Sequence, residues 1–250
     1  MNRESWGHDS RPDPTVLAVH GLGGGAYFFR GLADRLEPDD RVVAVDLPTS
    51  PDVSMKSWVD ELGALAAKDI REPVVLLGHS MGTILALEAW AAWPEWIRGL
   101  IFVGGVPQVA PRIRERLGER LRALDGTPTL AGWGSKVSPG VFSPATFRDR
   151  PEVVAAFERL FETQEVDAYV RCCRILLGAN AEAIVGTVTV PCLAITGEDD
   201  QYAPPDAVAA FLARIPGHPR LEIIPDCGHL PFLEQPEAFA AAVKSFLRTC

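Results

Sequence analysis

The feature of this 250-residue chain that could carry out chemistry most directly is a serine held between two glycines. It lies in Gly78-His79-Ser80-Met81-Gly82, directly after the aliphatic run 74–77. Four aliphatic residues in a row predict a strand buried on both faces, and residues 83–93 predict a helix. A strand, a sharp turn and a helix are the context in which Gly-x-Ser-x-Gly presents a nucleophilic hydroxyl. The alternative interpretation is an ordinary glycine-rich loop between a strand and a helix.

Further polar side chains follow two other predicted strands. The run 190–196 ends at Gly197-Glu198-Asp199-Asp200, and the run 221–224 leads into a loop with Gly228-His229. The carboxyl ends of parallel strands meet at one edge of a sheet, where α/β proteins build their sites. A serine hydroxyl becomes a strong nucleophile when a histidine takes its proton, and a carboxylate can orient that histidine. The candidates for this chemistry are Ser80, His229 and an aspartate at 199 or 200.

The order of predicted elements indicates an α/β fold. Strands alternate with helices, which is typical of a parallel sheet with right-handed crossovers, and they are expected at residues 15–19, 41–45, 74–77, 100–103, 190–196 and 221–224. The alternation stops between residues 107 and 181, where three amphipathic helices follow one another without a strand. We therefore predict a core formed by residues 1–106 and 182–250 and a helical cap formed by residues 107–181.

Five motifs along the chain resemble those of the capped α/β-hydrolase superfamily, and they occur in the family's order. They are His20-Gly21-Leu22-Gly23-Gly24, Gly78-His79-Ser80-Met81-Gly82, Gly197-Glu198-Asp199-Asp200 followed by Pro204, Gly228-His229, and Leu233-Glu234-Gln235-Pro236-Glu237. The resemblance implies an α/β-hydrolase fold: a mainly parallel sheet of about six strands, flanked by helices, with a helical cap inserted after the fourth strand. About six strands, rather than the family's eight, are expected because only 14 residues precede the first predicted strand, which leaves little room for a leading hairpin.

The resemblance also implies roles for individual residues. The catalytic residues would be Ser80, Asp200 and His229, because the family's acid lies three residues after the glycine and four before the proline, which selects Asp200 over Asp199. The oxyanion hole would be formed by the backbone N–H groups of Leu22 and Met81. The family pattern gives no catalytic role to the histidines at positions 20 and 79, which we interpret as structural. After Asp46 the family's glycine-containing loop is replaced by Leu47-Pro48-Thr49-Ser50-Pro51.

The expected substrate is a small, mainly apolar carboxylic ester, thioester or lactone. Apolar stripes and aromatic residues in the predicted cap motivate this expectation, with Trp133, Phe142 and Phe157 as candidate substrate-binding residues. The cap arginines at 112, 114, 116, 120 and 122 are interpreted as a solvated helix face, partly paired with Glu115 and Glu119. Two kinds of alternative remain open: a carbon–carbon bond hydrolase or cofactor-free lyase on the same three residues, and a non-catalytic ligand receptor.

Composition excludes several other classes of protein. The net charge of -9 and a pI near 5.1 argue against a nucleic-acid partner, and no apolar run approaches the length that spans a membrane. The polar start has no apolar stretch typical of a signal peptide. Five cysteines lack metal-ligand or redox spacing, which favours reduced thiols in a cytoplasmic protein. We expect no metal or other cofactor, and a small molecule as the partner.

Overall fold

The computed structural model describes residues 1–7, 14–37 and 39–250, and its central feature is a seven-stranded sheet. The spatial order is β1-β3-β2-β4-β5-β6-β7, with β1 (Asn2–Trp6), β2 (Thr15–Val19), β3 (Arg41–Asp46), β4 (Val74–His79), β5 (Ile97–Val103), β6 (Cys192–Gly197) and β7 (Arg220–Ile224). Strands β2 to β7 are parallel, whereas β1 pairs with β3 in the antiparallel direction. The six predicted parallel strands and the α/β fold class are confirmed.

The edge strand β1 corrects the expected strand count from about six to seven. Its sequence is polar and four of its five residues are exposed, so it lacks the alternating burial that identifies a strand in a sequence. It is held by backbone pairing with β3, from Asn2 opposite Asp46 to Trp6 opposite Val42. Hydrophobic patterning therefore could not predict it. Residues 8–13, which belong to the polar start, lie outside the described residues.

The helices lie between and after these strands. They are α1 (Arg30–Ala33), α2 (Met55–Leu65), α3 (Met81–Ala92), α4 (Pro111–Leu124), α5 (Gly134–Val137), α6 (Pro144–Asp149), α7 (Pro151–Glu162), α8 (Val166–Gly178), α9 (Pro205–Leu212), α10 (Pro231–Glu234) and α11 (Pro236–Leu247). Helix α2 packs against α3, and α1 packs against α11. Among the residues described, no helix has both the length and the apolarity needed to cross a membrane.

The centre of the sheet is its most deeply buried part. Every residue of β2 and β4 is buried, and the two strands are neighbours, with Leu17 opposite Leu76. Burial of an aliphatic side chain stabilises a fold by about 1.5–3 kcal/mol, so the aliphatic runs of these strands form a rigid base. The residues that follow β2 and β4 are therefore attached to the most stable part of the molecule.

The topology opens a crevice beside these two strands. From β2 the chain proceeds to β3 on one side, whereas from β4 it proceeds to β5 on the other. Where the strand order reverses in this way, the connecting segments diverge and leave a crevice beyond the carboxyl ends of the strands. The loop 20–25 after β2 and Ser80 after β4 meet at this crevice.

Helices α4 to α8 all lie between β5 and β6, in residues 104–191, which we call the intervening segment. The predicted cap, residues 107–181, falls within it. Hydrogen bonds tie this segment to loops around the crevice, and three of them show the pattern. Gln164 Nε2 donates to the Gly23 carbonyl at 3.0 Å, and Arg171 Nε donates to the Thr49 carbonyl at 2.9 Å. The Val141 carbonyl accepts from the backbone N–H of residue 229 at 2.7 Å.

Candidate active site

Ser80 occupies a sharp turn between β4 and α3, in a conformation that non-glycine residues rarely adopt. Its φ is 53° and its ψ is -113°, and its own N–H donates to the Val103 carbonyl at 2.8 Å. Such a conformation costs on the order of 1–3 kcal/mol and persists only where surrounding contacts impose it. The turn raises the hydroxyl above the end of the sheet at the start of α3, whose first N–H groups have no partner within the helix.

The glycines around Ser80 are required by close packing. A Cβ on Gly78 would overlap the backbone of Gly82, and a Cβ on Gly82 would lie 2.6 Å from the Val19 carbonyl oxygen. A Cβ on Gly21 would lie 2.7 Å from Cβ of Ser80. The loop after β2 therefore lies directly against the serine, and any side chain at these positions would force them apart.

A chain of hydrogen bonds links Ser80 to His229 and Asp200. His229 Nε2 lies 3.0 Å from Ser80 Oγ, and His229 Nδ1 lies 2.9 and 3.0 Å from the two carboxylate oxygens of Asp200. Oδ1 of Asp200 also accepts from the backbone N–H groups of Tyr202 at 2.8 Å and Ala203 at 2.9 Å. Because an ionised carboxylate only accepts, Nδ1 carries the hydrogen and Nε2 is left to accept from the serine hydroxyl. The arrangement can remove a proton from Ser80.

The neighbouring polar residues are placed differently. Asp199 and Asp226 are exposed, and neither carboxylate bonds to His229, whereas Asp200 is only 3% exposed. His79 Nε2 lies 3.0 Å from the His229 carbonyl. Nδ1 of His79 is, among the described residues, the one buried side-chain nitrogen or oxygen without a hydrogen-bond partner. Burial, helped by His229, lowers the pKa of His79 well below its ordinary value, so this imidazole stays neutral.

The amides of Leu22 and Met81 lie beside the serine. Both residues line the cavity in front of Ser80. In the part of the chain that the structure describes, neither N–H has an assigned bond to another protein group. The imidazole of His20 holds the loop carrying Leu22, because its Nε2 accepts from the Leu47 N–H at 3.1 Å while Nδ1 lies 2.8 Å from the Gly21 carbonyl. Two unpaired amides next to a nucleophile can stabilise a developing oxyanion.

The cavity over Ser80 has a volume of about 820 Å³, including its opening to solvent. Its walls come from the loop after β2, the start of α3, and the intervening segment. Most of the lining is apolar and includes Leu22, Phe28, Ile84, Val106, Ile113, Leu117, Phe157, Phe161, Leu176 and Leu230. Apolar walls around a few polar groups are typical of sites for small organic ligands.

The three aromatic residues predicted to bind substrate occupy different positions. Phe157 lies on the cavity wall. Phe142 is buried behind it, edge-to-face with a ring separation of 5.2 Å, and is not among the lining residues. Trp133 also lies outside the lining. The ammonium nitrogen of Lys136 lies over the Trp133 ring, 4.6 Å from the ring centre, in a cation–π contact. Of the three predicted substrate-binding residues, Phe157 alone lines the cavity.

Arg120 corrects the interpretation of the cap arginines as a solvated face. It lines the cavity and donates from Nη1 to the Tyr169 hydroxyl at 2.7 Å. No ion pair to Glu115 or Glu119 is found among the described residues, where both glutamates are exposed. The sequence does contain a signal for this position. Ile113, Leu117, Arg120 and Leu124 follow the 4-3-4 spacing of one helix face, and the other three are buried.

Glu234 is a second residue that the sequence analysis left without a role. Its carboxylate is 2% exposed and accepts from the backbone N–H groups of Gly228 at 3.0 Å and Leu230 at 3.1 Å, on either side of His229. It also accepts from the Ser143 N–H at 2.9 Å and from Thr146 Oγ1 at 2.8 Å in the intervening segment. One buried carboxylate thus joins the loop that carries His229, which we call the histidine loop, to α6. The sequence signal for Glu234 was its place in the motif Leu233-Glu234-Gln235-Pro236-Glu237.

The remaining reactive groups lie apart from this arrangement. Over residues 1–7, 14–37 and 39–250, no three His, Cys, Asp or Glu side chains come together as a possible metal site. All five cysteines are free, and four are buried. Burial raises the pKa of Cys172 to about 11 and that of Cys192 to about 12, so these thiols stay protonated and unreactive.

Comparisons with known proteins identify the family of this chain and proteins similar to it. The model of the alpha/beta hydrolase family matches residues 16–242. A 2-hydroxy-6-oxononadienedioate/2-hydroxy-6-oxononatrienedioate hydrolase from Klebsiella pneumoniae is 28% identical, over 93% of this chain and 86% of that protein. A pimeloyl-acyl-carrier protein methyl ester esterase from Yersinia enterocolitica is 25% identical, over 98% of each chain. In structure, a thermophilic esterase from Thermogutta terrifontis superposes with a TM-score of 0.87 at 23% identity, over 99% of this chain and 93% of that one.

Proposed function

The chain belongs to the alpha/beta hydrolase family, and from that premise we propose that it is a serine hydrolase that cleaves a small, mainly apolar carboxylic ester, thioester or lactone. The observation that carries the proposal is the hydrogen-bonded chain from Ser80 through His229 to Asp200, which opens onto an apolar cavity. The esterase activities named for the Yersinia enterocolitica and Thermogutta terrifontis proteins support an ester as the substrate class.

In the proposed mechanism Ser80 Oγ attacks the substrate carbonyl carbon while His229 Nε2 takes the hydroxyl proton. Asp200 holds the other imidazole nitrogen and stabilises the resulting imidazolium. The negative charge on the carbonyl oxygen is held by the N–H groups of Leu22 and Met81. His229 then returns its proton to the leaving group, and the acyl chain remains on Ser80. A water molecule, deprotonated by His229, releases the acid and restores the serine.

The test uses a fluorophosphonate probe and two substitutions. We expect the probe to label the wild-type protein at Ser80, and Ser80→Ala to abolish labelling and turnover of a p-nitrophenyl ester. His229→Ala should lose a similar amount of turnover, and the double variant little more than either, because residues that act as a unit are not additive. Additive losses would show that the roles are misassigned. No labelling of a folded wild-type protein would instead favour the non-catalytic receptor.

A second candidate function is hydrolysis of a carbon–carbon bond, with the same three residues. The name of the Klebsiella pneumoniae relative, an oxo-dicarboxylate hydrolase, supports it. Turnover of a hydroxy-oxo acid with kcat/KM above that of every ester in a chain-length series would favour this second function.

A further inference from the structure

Arg120 places a permanent positive charge on the wall of an apolar cavity. A guanidinium stays protonated throughout the physiological pH range. Arg120 is half-buried, and withdrawing even part of such a charge from water without a counter-ion is unfavourable. The walls near Arg120 on its own helix are Ile113 and Leu117, which offer no polar group. The position therefore requires an explanation beyond packing.

The protein groups that contact Arg120 do not neutralise it. Its hydrogen-bond partner is the Tyr169 hydroxyl, and Tyr202 lines the same cavity. Burial raises the pKa of Tyr169 above its ordinary value, which keeps this phenol neutral. A guanidinium has five N–H donors, and one phenol oxygen leaves most of them unused. Within the described residues no carboxylate forms an ion pair with Arg120. Arg120 thus has unused N–H donors and a positive charge without a counter-ion in the cavity over Ser80.

Tyr202 packs against the histidine that contacts Ser80. Its ring lies 4.8 Å from the His229 ring, centre to centre, and Arg116 stacks on it at 5.5 Å. Arg120, Tyr202 and His229, which contacts Ser80, all line this one cavity. A substrate whose carbonyl carbon lies at Ser80 could reach Arg120 with a short chain.

We propose that Arg120 binds a carboxylate at the end of the substrate remote from the bond that Ser80 attacks, a proposal that rests on the serine-hydrolase function above. The substrate class is then a short-chain monoester or monothioester of a dicarboxylic acid. The apolar walls contact its methylene groups, and the guanidinium forms a fork of charge-assisted hydrogen bonds with its free carboxylate. A single guanidinium matches a single negative charge. The hydrogen bond to Tyr169 holds the fork in position.

The kinetic test compares esters that differ only in charge. The substrates are p-nitrophenyl monoesters of succinate, glutarate and adipate, each matched with the ester whose far carboxylate is replaced by a neutral carboxamide. We expect the wild type to prefer the best carboxylate ester by about tenfold to a hundredfold in kcat/KM, the range for a hydrogen bond to a charged group. Arg120→Met should reduce this ratio to about one, mainly through KM, and Arg120→Lys should retain part of it. Arg122→Met, on the exposed face of the same helix, should leave the ratio unchanged.

A binding measurement separates failure of this inference from failure of the hydrolase function. In the Ser80→Ala background, calorimetry with monomethyl glutarate and methyl glutaramate reports the anion preference without turnover. If fluorophosphonate labelling and turnover fail but the anion preference persists and needs Arg120, the hydrolase function is wrong and the anion site stands. The inference is overturned if the wild type shows equal kcat/KM, or equal affinity, for the carboxylate and carboxamide forms. This result does not depend on whether Arg120→Met folds. A preference that survives in folded Arg120→Met also overturns the inference, because it would leave Arg120 with a structural role only.

Discussion

At the scale of single residues, the site depends on a serine that its surroundings hold in an unfavourable conformation. The positive φ of Ser80 is imposed by its N–H bond to Val103 and by the close approach of three glycine backbones. The strained turn fixes the direction of Oγ before any substrate arrives. Gly104 allows close packing around the other two residues of the site. A Cβ on Gly104 would lie 3.0 Å from Asp200 Oδ2 and 3.1 Å from His229 Nδ1.

The choice between two adjacent aspartates gives a prediction at this scale. Asp200→Asn should lower kcat by about 10⁴, because an amide can donate to His229 Nδ1 and so favours the wrong tautomer. The exposed Asp199 provides the matched control, and Asp199→Asn should stay near wild type. Steady-state kinetics on an ester that the wild type hydrolyses would measure both variants. The reverse ranking would move the acid to position 199.

Residue identities at the site could be predicted where local spacing determines them. The strand–turn–helix context around Ser80 and the loops carrying Asp200 and His229 follow from buried runs and glycines that can be read in order. Arg120 shares the helix face of Ile113, Leu117 and Leu124, but an arginine among glutamates and arginines is more often solvated, so spacing alone does not show that it reaches a cavity. Trp133 and Phe142 are aromatic residues of the predicted cap, but which rings reach the cavity depends on packing between helices.

At the scale of elements, the histidine loop is held by a residue in the following helix. Glu234 in α10 accepts from amides on both sides of His229 and from α6. In Glu234→Gln one carboxylate oxygen becomes an NH₂ group, a donor that cannot accept from the backbone N–H groups facing it. We expect a loss of about 1–3 kcal/mol in the free energy of unfolding, and a fall in kcat larger than any change in KM.

The control for this prediction is Glu237→Gln, three residues later in the same motif. Glu237 is exposed and pairs with Arg35 on the surface, where an ion pair contributes little. Urea unfolding and steady-state kinetics on both variants would test the contrast. Equal kinetic effects in the two variants, or a loss of stability in Glu234→Gln with unchanged kcat, would show that Glu234 does not position His229.

The intervening segment should determine acyl-chain length, and Phe157 is the side chain to change. Phe157→Ala enlarges the cavity from its wall, so the ratio of kcat/KM for long over short acyl esters should rise. Phe142→Ala should act more weakly, because Phe142 contacts the wall from behind. Trp133→Ala should keep the parent profile, since Trp133 does not line the cavity. A parent-like profile for Phe157→Ala would remove this role from the segment.

The strands were easier to predict than the edges of the fold. Strands β2 to β6 contain aliphatic runs that must be buried on both faces, so the sequence identifies them. Strand β1 is held by backbone hydrogen bonds with exposed polar side chains, and no side-chain pattern marks it. The short helices α5 and α6 lie in a stretch rich in Gly, Pro and Ser. They are stabilised there by tertiary contacts, such as the one between Glu234 and Thr146.

At the scale of the whole molecule, the centre of the crevice contains three imidazoles in a water-poor region. Only 8% of His20, 3% of His79 and 7% of His229 is exposed, and the His79 and His229 rings lie 4.9 Å apart. Burial lowers the pKa of His20 and, more strongly, that of His79. The folded protein therefore holds these two rings neutral in a pH range where the unfolded chain protonates them.

This difference predicts that stability falls as the pH is lowered through the histidine range. Below about pH 6.5 the unfolded state binds protons that folded His20 and His79 do not, so stability present at pH 7 is lost towards pH 5. Each histidine that stays neutral in the folded state between pH 7 and pH 5 lowers the free energy of unfolding by about 2 kcal/mol over this interval. Urea unfolding at pH 5, 6 and 7 should show a smaller pH slope for His79→Gln, whatever its stability at pH 7, and for His20→Gln. The exposed His218 supplies the control, because His218→Gln should keep the wild-type slope. An unchanged slope in both buried variants would show that acid acts on the fold through other groups.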